Sequence, residues 1–306
     1  MAQMSMFDGS KPFKIDKPVR LIEIFAGIGS QSKALQRLGV DFESWYVCEF
    51  DKYAIKSYNA IHGTNYPTSD VTQITAKDLN IIDTDKYIYI LTYSFPCQDL
   101  SIAGQQKGMQ KGSGTRSGLL WEVERLLDEC EEFPQVLLME NVPQVHSADN
   151  IGDFNAWLRK LESLGYNNYY QDLNSKNFGI PQNRNRTFCV SVLGDYYYEF
   201  PIGKPLELKL KDMLESKVDE KYYISESATE KLITCSQFVN VERERSVTQL
   251  EQEAGQALTD TVGILLSQQG KKFDKTTNVA NTLMARDYKG FGNQSMNGVL
   301  EIGNKI

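Results

Sequence analysis

An α/β fold built around a mainly parallel sheet is what this chain predicts, and three observations predict it. Short apolar runs alternate with amphipathic helical stretches from residue 19 to residue 195. A glycine-rich turn sits directly between the first apolar run and the first helical one. The alternation then stops, and residues 196–306 show scattered turn residues, a charged run from Lys209 to Lys221 and no clean period. Regular strand–helix alternation buries a parallel sheet under helices on both faces.

The elements follow in order. Leu21, Ile22, Ile24 and Phe25 make a short strand after Arg20. Ser30 to Leu38 reads as a helix with Ala34, Leu35 and Leu38 on one face and Gly39 as its stop. Trp45 to Cys48 is a second strand, and Tyr87 to Leu91 a buried one. Gly118 to Cys130 predicts a helix, Gln135 to Met139 a strand. In Asp153 to Leu164, the side chains Phe154, Trp157, Leu158, Leu161 and Leu164 line one helical face, and Gly165 ends it. Thr187 to Leu193 is the last strand of the alternating part.

Composition narrows the class. The 306 residues are 41% hydrophobic and 24% charged, which describes an ordinary globular chain with enough length for a sizeable core. No apolar run reaches the roughly 18 residues of a membrane span, and Met1 to Lys17 lacks the apolar centre of a secretory signal. The net charge is −7, with a pI near 5.1, so any phosphate contact must come from local basic clusters. Cysteines 48, 97, 130, 189 and 235 are odd in number and lack CxxC spacing. Free thiols, a cytoplasmic location, no membrane and no metal are the expectation.

Phe25-Ala26-Gly27-Ile28-Gly29 joins strand to helix, where glycine lets the backbone approach a ligand and the helix start offers free N–H groups. A dinucleotide fingerprint wants a third glycine at position 32, and this chain has Ser32. The next strand ends at Glu49, about 20 residues on, where an acid suits a ribose diol. Phe50 follows as a flat ring, and Asp70-Val71 places another acid at the expected end of a further strand. Acids at successive strand ends suit an adenosine ligand without a pyrophosphate, of which S-adenosylmethionine is one.

Cys97 lies in Ser94-Phe95-Pro96-Cys97-Gln98, just past a buried strand, where α/β enzymes place their sites. A lone cysteine is most often a small core hydrophobe. Here Pro96 fixes the chain before it, and a stretch rich in glycine and basic residues follows through Gly118, with the look of a lid. Glu140-Asn141 closes the next strand, and an acid there could protonate a ring nitrogen. Arg184 and Arg186 precede the last strand two residues apart, a spacing that puts both on one face of a strand.

FAGIGS, SFPCQ, ENV and QNRNR, in this order, resemble the sequence blocks of DNA (cytosine-5) methyltransferases. The likeness covers residues 19–195. The span TYSFPCQDLS…QKGM…KGSGTRSGLLWEVER is especially similar to bacterial members that modify short sites, CpG-type enzymes among them. The resemblance implies a Rossmann-like S-adenosylmethionine-dependent methyltransferase domain at 19–195, after an N-terminal extension at 1–18. It implies Cys97 as nucleophile on C6 of a flipped cytosine, Glu140 on the ring N3 and exocyclic amine, and Asn141 holding the proline–cysteine loop. Arg184 and Arg186 would orient base and loop. Phe25, Ala26, Gly27, Ile28, Gly29, Glu49, Phe50, Asp70, Val71 and Pro96 would line the cofactor. Gln98, Ser101, Arg116 and Lys289 would contact double-stranded DNA, Lys289 within the basic stretch 270–290.

Two expectations mark a departure from the family. Family members return from the recognition region with a last helix and a GNSV-like turn, for which Gly292-Asn293-Gln294-Ser295 is only a loose counterpart. Residues 196–306 therefore read as a partial target-recognition region, of either a truncated gene product or the large subunit of a split enzyme; in the second case a small complementary subunit would carry the missing block. The alternative function is an inactive DNA-binding remnant. A nicotinamide dehydrogenase is disfavoured by Ser32 and by the SFPCQ block, and an RNA-directed relative by the long C-terminal region.

Overall fold

The computed structural model describes residues 11–97, 99–100, 108–217 and 219, together with strand segments at 262–266, 273–277, 280–281 and 297–300. The chain divides into two compact units, Met1–Leu173 with Asn185–Pro201, and Asn174–Arg184 with Ile202–Ile306.

In the first unit the strands are β1 (Lys11–Pro12), β2 (Val19–Ile24), β3 (Phe42–Cys48), β4 (Ile88–Tyr93), β5 (Val136–Asn141), β6 (Tyr166–Asn174), β8 (Asn185–Leu193) and β9 (Tyr196–Tyr197), with β7 (Gln182–Asn183) in the second unit. The helices are α1 (Ser30–Arg37), α2 (Lys52–His62), α3 (Ala76–Leu79), α4 (Leu120–Glu129) and α5 (Ile151–Ser163). Six strands form one sheet in the order β3-β2-β4-β5-β8-β6. β3, β2, β4 and β5 are mutually parallel, and β8 runs antiparallel to β5.

Strand periodicity sorts the core into two layers. Ile22 and Ile24 of β2, Tyr89, Leu91 and Tyr93 of β4, and Leu137 and Met139 of β5 share a cluster with Leu120, Val123 and Leu126 of α4 and Phe154, Trp157 and Leu161 of α5. The alternate positions Leu21, Ile88 and Ile90 pack with Leu35 of α1. Ile55 and Tyr58 of α2 pack with Ala26 and Val47. Both faces of the sheet are thus covered, α4 and α5 on one side and α1 and α2 on the other.

Helix boundaries follow local chemistry. α1 starts at Gly29 in the left-handed region (φ 78°) and stops before Gly39 (φ 69°). α2 starts at Asp51, whose carboxylate accepts from the Tyr53 and Ala54 amides at 2.7 and 3.0 Å, and it ends on left-handed Gly63. In α5 the fully buried Trp157 donates its indole N–H to the Tyr93 hydroxyl at 3.1 Å, tying that helix to the strand that leads into the cysteine loop.

In the second unit β7 pairs in parallel with β12 (Ala280–Asn281), and β10 (Val262–Leu266) pairs antiparallel with β11 (Phe273–Thr277) and β13 (Asn297–Leu300).

Two expectations are corrected. Asp70-Val71 does not end a strand: it lies in a turn, where the Asp70 carboxylate accepts from both the amide and the hydroxyl of Thr72 at 2.9 Å. A carboxylate that captures its own following backbone favours a turn over a ladder. Arg184 and Arg186 do not share one strand face either. β8 begins at Asn185, and Arg184 sits in the break between β7 and β8, its amide turned back to the Gln182 carbonyl at 3.0 Å.

Candidate active site

The sheet register aligns the site. Cys48 of β3 lies opposite Ile24 of β2, Ile24 opposite Tyr93 of β4, Tyr93 opposite Met139 of β5, and Met139 opposite Cys189 of β8. The residues that follow this row in the parallel strands are Glu49, Phe25, Ser94 and Glu140. Three of these segments leave the sheet at this level along its carboxyl edge, while β5 runs on through Glu140 and Asn141, paired with β8. The chain steps from β2 outward to β3 and then returns to β4 on the other side of β2. That reversal is where open α/β sheets form their ligand crevice.

On one side of the crevice the turn Phe25–Gly29 carries positive φ at Phe25 (58°), Gly27 (57°) and Gly29 (78°). Gly29 is forced by packing as well as by backbone: a Cβ there would meet His62 Nε2 at 2.3 Å and the Tyr58 ring at 2.6 Å. A Cβ on Gly27 would meet nothing within 4 Å, so open space adjoins the turn at that point. Glu49 organises the rim. Its carboxylate accepts from the Gly27 amide at 2.8 Å and the Asp51 amide at 2.7 Å, while its carbonyl accepts from the Ser69 amide at 2.8 Å. Val71 is buried and Phe50 is 74% exposed beside this rim. A backbone cradle, an exposed ring and adjoining open space are a fit for an adenosyl ligand.

Two features behind the turn escaped the sequence reading. Glu23 is fully buried and its carboxylate accepts from the Ser32 amide and hydroxyl at 3.2 and 2.6 Å and from the Tyr58 hydroxyl at 2.7 Å. It fixes α1 and α2 to β2, and an acid inside an apolar strand was the available signal. Gln31 of α1 donates to the Ser94 hydroxyl at 3.3 Å, linking the glycine-turn side of the crevice to the cysteine side.

Cys97 is half-buried in the loop after β4. The flanking chain is held at each carbonyl: Asn141 Nδ2 donates to the Phe95 carbonyl at 3.0 Å, Ser117 Oγ to the Pro96 carbonyl at 2.7 Å, and the Leu100 amide to the Cys97 carbonyl at 3.0 Å. Cys48 and Cys189 are buried, and burial pushes their pKa up to about 11 and about 12. On β5, Glu140 pairs with Arg186 of β8, Nε to Oε1 at 3.1 Å, with the two side chains 21% and 17% exposed. Thr187, next to Arg186, stands opposite Asn141 in the register.

Glu140, Asn141 and Arg186 are thus brought together on adjacent strands, one row from the strand that leads to Cys97. Arg184 belongs to the second unit, where its carbonyl accepts from the Ser175 amide at 3.0 Å. Arg116 is exposed, and its amide donates to Asp99 Oδ2 at 2.8 Å. Gln98, Ser101 and Lys289 lie outside the described residues. Among the described residues, no group of three or more His, Cys, Asp and Glu could hold a metal. No helix among them is long and apolar enough to cross a membrane.

Comparison with known proteins shows the family and the fold. The model of the C-5 cytosine-specific DNA methylase family matches residues 19–295. The orphan methyltransferase M.SssI of Spiroplasma monobiae is 38% identical over 259 residues, covering 67% of each chain. The type II methyltransferase M2.ScrFI of Lactococcus lactis subsp. cremoris is 35% identical over 254 residues, covering 67% of this chain and 70% of its own. These matches span about two thirds of the relatives' lengths. Among solved structures, the Entamoeba histolytica methyltransferase EhMeth superposes with a TM-score of 0.59 at 20% identity, over 72% of this chain and 67% of that one. The S. pombe Dnmt2 methyltransferase gives 0.54 at 22% identity, over 70% and 65%. These structures share the fold: an α/β methyltransferase domain on a mostly parallel sheet. By sequence and by architecture, the chain belongs to the C-5 cytosine-specific DNA methylases, the DNA (cytosine-5) methyltransferase family.

Proposed function

We propose that this chain transfers a methyl group from S-adenosylmethionine to C5 of cytosine in double-stranded DNA, through a covalent bond between Cys97 and C6 of the base. The observation that carries the reading is the Glu140–Arg186 pair, 3.1 Å apart at the carboxyl end of β5, beside the strand whose loop presents a half-buried thiol.

The chemistry needs this set. Ring carbon C5 is a poor nucleophile. Attack of the Cys97 thiolate on C6 forms the S–C6 bond and pushes an electron pair toward C5 and the ring. Glu140, donating a proton to N3, lowers the charge that develops there, a contribution of about 10²-fold or more in rate. Arg186 holds the Glu140 carboxyl in place and presents its guanidinium to the base. Asn141 fixes the Phe95 carbonyl, and so sets the height of the loop above β5. S-adenosylmethionine supplies an electrophilic methyl when bound. The activated C5 would take that methyl, leaving the donor as a neutral thioether; the C5 proton would then pass to water, the returning electron pair would expel the Cys97 thiolate, and N3 would return its proton to Glu140. Phe25–Gly29, Glu49 and Phe50 would hold the adenosyl end, with Gly27 leaving room for it. Residues 196–306 would carry target recognition, with Lys289 and the neighbouring basic residues against phosphate.

The small complementary subunit expected from sequence finds no support among the relatives, so the proposal concerns this chain with DNA. The test is direct. The purified chain is incubated with duplex DNA and methyl-labelled S-adenosylmethionine, and the nucleosides are separated by mass spectrometry. 5-Methylcytosine in the wild type, and none in Cys97→Ser, supports the reading. Labelled N4-methylcytosine, or DNA binding without any methyl transfer, overturns it, the second result favouring an inactive remnant.

A further inference from the structure

Between Pro96 and Ser117 the chain leaves the sheet edge and returns to start α4. Its outgoing foot holds Pro96, Cys97, Asp99 and Leu100, and its returning foot holds Gly108 to Ser117. Asp99 is only 9% exposed and binds the returning foot twice. Its carbonyl accepts from the Gly108 amide at 3.1 Å. Its Oδ2 accepts from the Arg116 amide at 2.8 Å. The returning foot is itself anchored. Met109 is fully buried, and its carbonyl accepts from the Trp121 indole of α4 at 2.7 Å. Gly108 takes a left-handed bend (φ 76°), and its carbonyl accepts from the Thr115 hydroxyl at 3.1 Å. Cys97 therefore lies between two fixed points, Pro96 under Ser117 and Asp99 under Gly108 and Arg116.

We propose that Asp99 is a positioning residue for the thiol: its carboxylate clasps the two feet of the loop and so sets where Cys97 stands. The inference rests on the methyltransferase reading above and deepens it. The clasp is one carboxylate oxygen on one backbone N–H, reaching across seventeen residues of sequence. A charged acceptor makes a strong hydrogen bond, and removing it takes the partner from a part-buried N–H. A nucleophile displaced by about 1 Å loses up to about 10²-fold in rate. The hydrogen bonds of Asp99 run to Gly108 and Arg116 and not to the glycine turn, so cofactor affinity should fall less than the rate.

The test compares wild type, Asp99→Ala and Asp99→Asn on duplex DNA. It reads kcat and KM for methylation, the rate of covalent capture by DNA with 5-fluorocytosine at the target, S-adenosylmethionine affinity and Tm. Asp99→Ala is expected to slow kcat and covalent capture about tenfold or more, with cofactor affinity close to wild type and Tm lowered only by the loss of one hydrogen bond. Asp99→Asn keeps an acceptor oxygen in place and is expected to recover most of the rate. Wild-type capture by Asp99→Ala, equal losses in the two variants, or a loss that tracks Tm and cofactor affinity would each overturn the inference. A wild-type chain that forms no adduct removes the methyltransferase reading and the inference together, whereas a wild-type adduct with an unaffected Asp99→Ala removes the inference alone.

Discussion

Alanine at Gly29 should act mainly on stability, and alanine at Gly27 mainly on cofactor binding. Both glycines hold positive φ, 78° and 57°, which costs an ordinary residue about 1–2 kcal/mol. At Gly29 the new methyl also lands 2.3 Å from His62 Nε2 and 2.6 Å from the Tyr58 ring. Tyr58 cannot swing aside cheaply, because it is buried and its hydroxyl donates to Glu23 at 2.7 Å. Moving His62 gives up its 3.2 Å contact with the Ile28 carbonyl. Overpacking of this kind adds about 1–3 kcal/mol. Gly29→Ala is therefore expected to lose about 2–5 kcal/mol of stability, the sum of the backbone and overpacking costs. Gly27→Ala is expected to lose only the backbone part, about 1–2 kcal/mol. Its methyl points instead into the open space assigned to the adenosyl ligand, so its main loss is in cofactor binding. Urea unfolding gives the first quantity, and calorimetric titration with S-adenosylmethionine the second. Equal unfolding midpoints for the two variants, or undiminished cofactor affinity in Gly27→Ala, would refute the reasoning.

Arg186→Ala removes the partner of Glu140 and is expected to lower kcat by about 10²-fold, with Arg186→Lys intermediate because one ammonium replaces a fork of donors; steady-state methylation kinetics measures both. Alkaline stability should also be limited from within. Burial holds Cys48 and Cys130 near 11 and Cys189 near 12, against an ordinary value of 9.0, and pushes the Tyr58, Tyr93 and Tyr166 phenols upward as well. The unfolded chain then releases those protons at a lower pH than the folded one. The stabilisation is complete below about pH 9 and is lost as pH rises through 11–12. Urea unfolding between pH 8 and 11 should show a falling limb that Cys189→Ala makes shallower; an unchanged slope would contradict this.

Much of the sheet was legible in the sequence because its strands are buried on both faces: β4 reads as an unbroken apolar run, and α5 shows a one-sided stripe. The glycine turn and Cys97 each follow such a strand and Glu140 lies near the end of one, which is why they were legible as strand-end residues. What escaped had a physical reason. β6 is an edge strand of largely polar residues, with no alternation to betray it. α2 buries just Ile55 and Tyr58, and its clearest marks are its ends, Asp51 and Gly63, rather than its face. Asp70 looked like a strand end because its hydrogen bonds to Thr72 make a turn that composition alone does not distinguish. Arg184 does not alternate with Arg186 along one strand because β7 ends at Asn183, paired with β12, and β8 begins at Asn185. Long-range contacts such as Glu23 with Tyr58, or Asp99 with Arg116, join residues far apart in the chain, and spacing cannot reveal them.

Methyl transfer by the proposed route requires a bond between Cys97 and the target base. Duplex DNA with 5-fluorocytosine at the methylated position blocks loss of the final proton and traps that bond. Intact-mass and peptide mass spectrometry should find one DNA strand attached through Cys97 in the presence of S-adenosylmethionine, with no adduct in Cys97→Ser. Attachment at another residue, or methyl transfer to unmodified DNA by Cys97→Ser at the wild-type rate, would contradict the account.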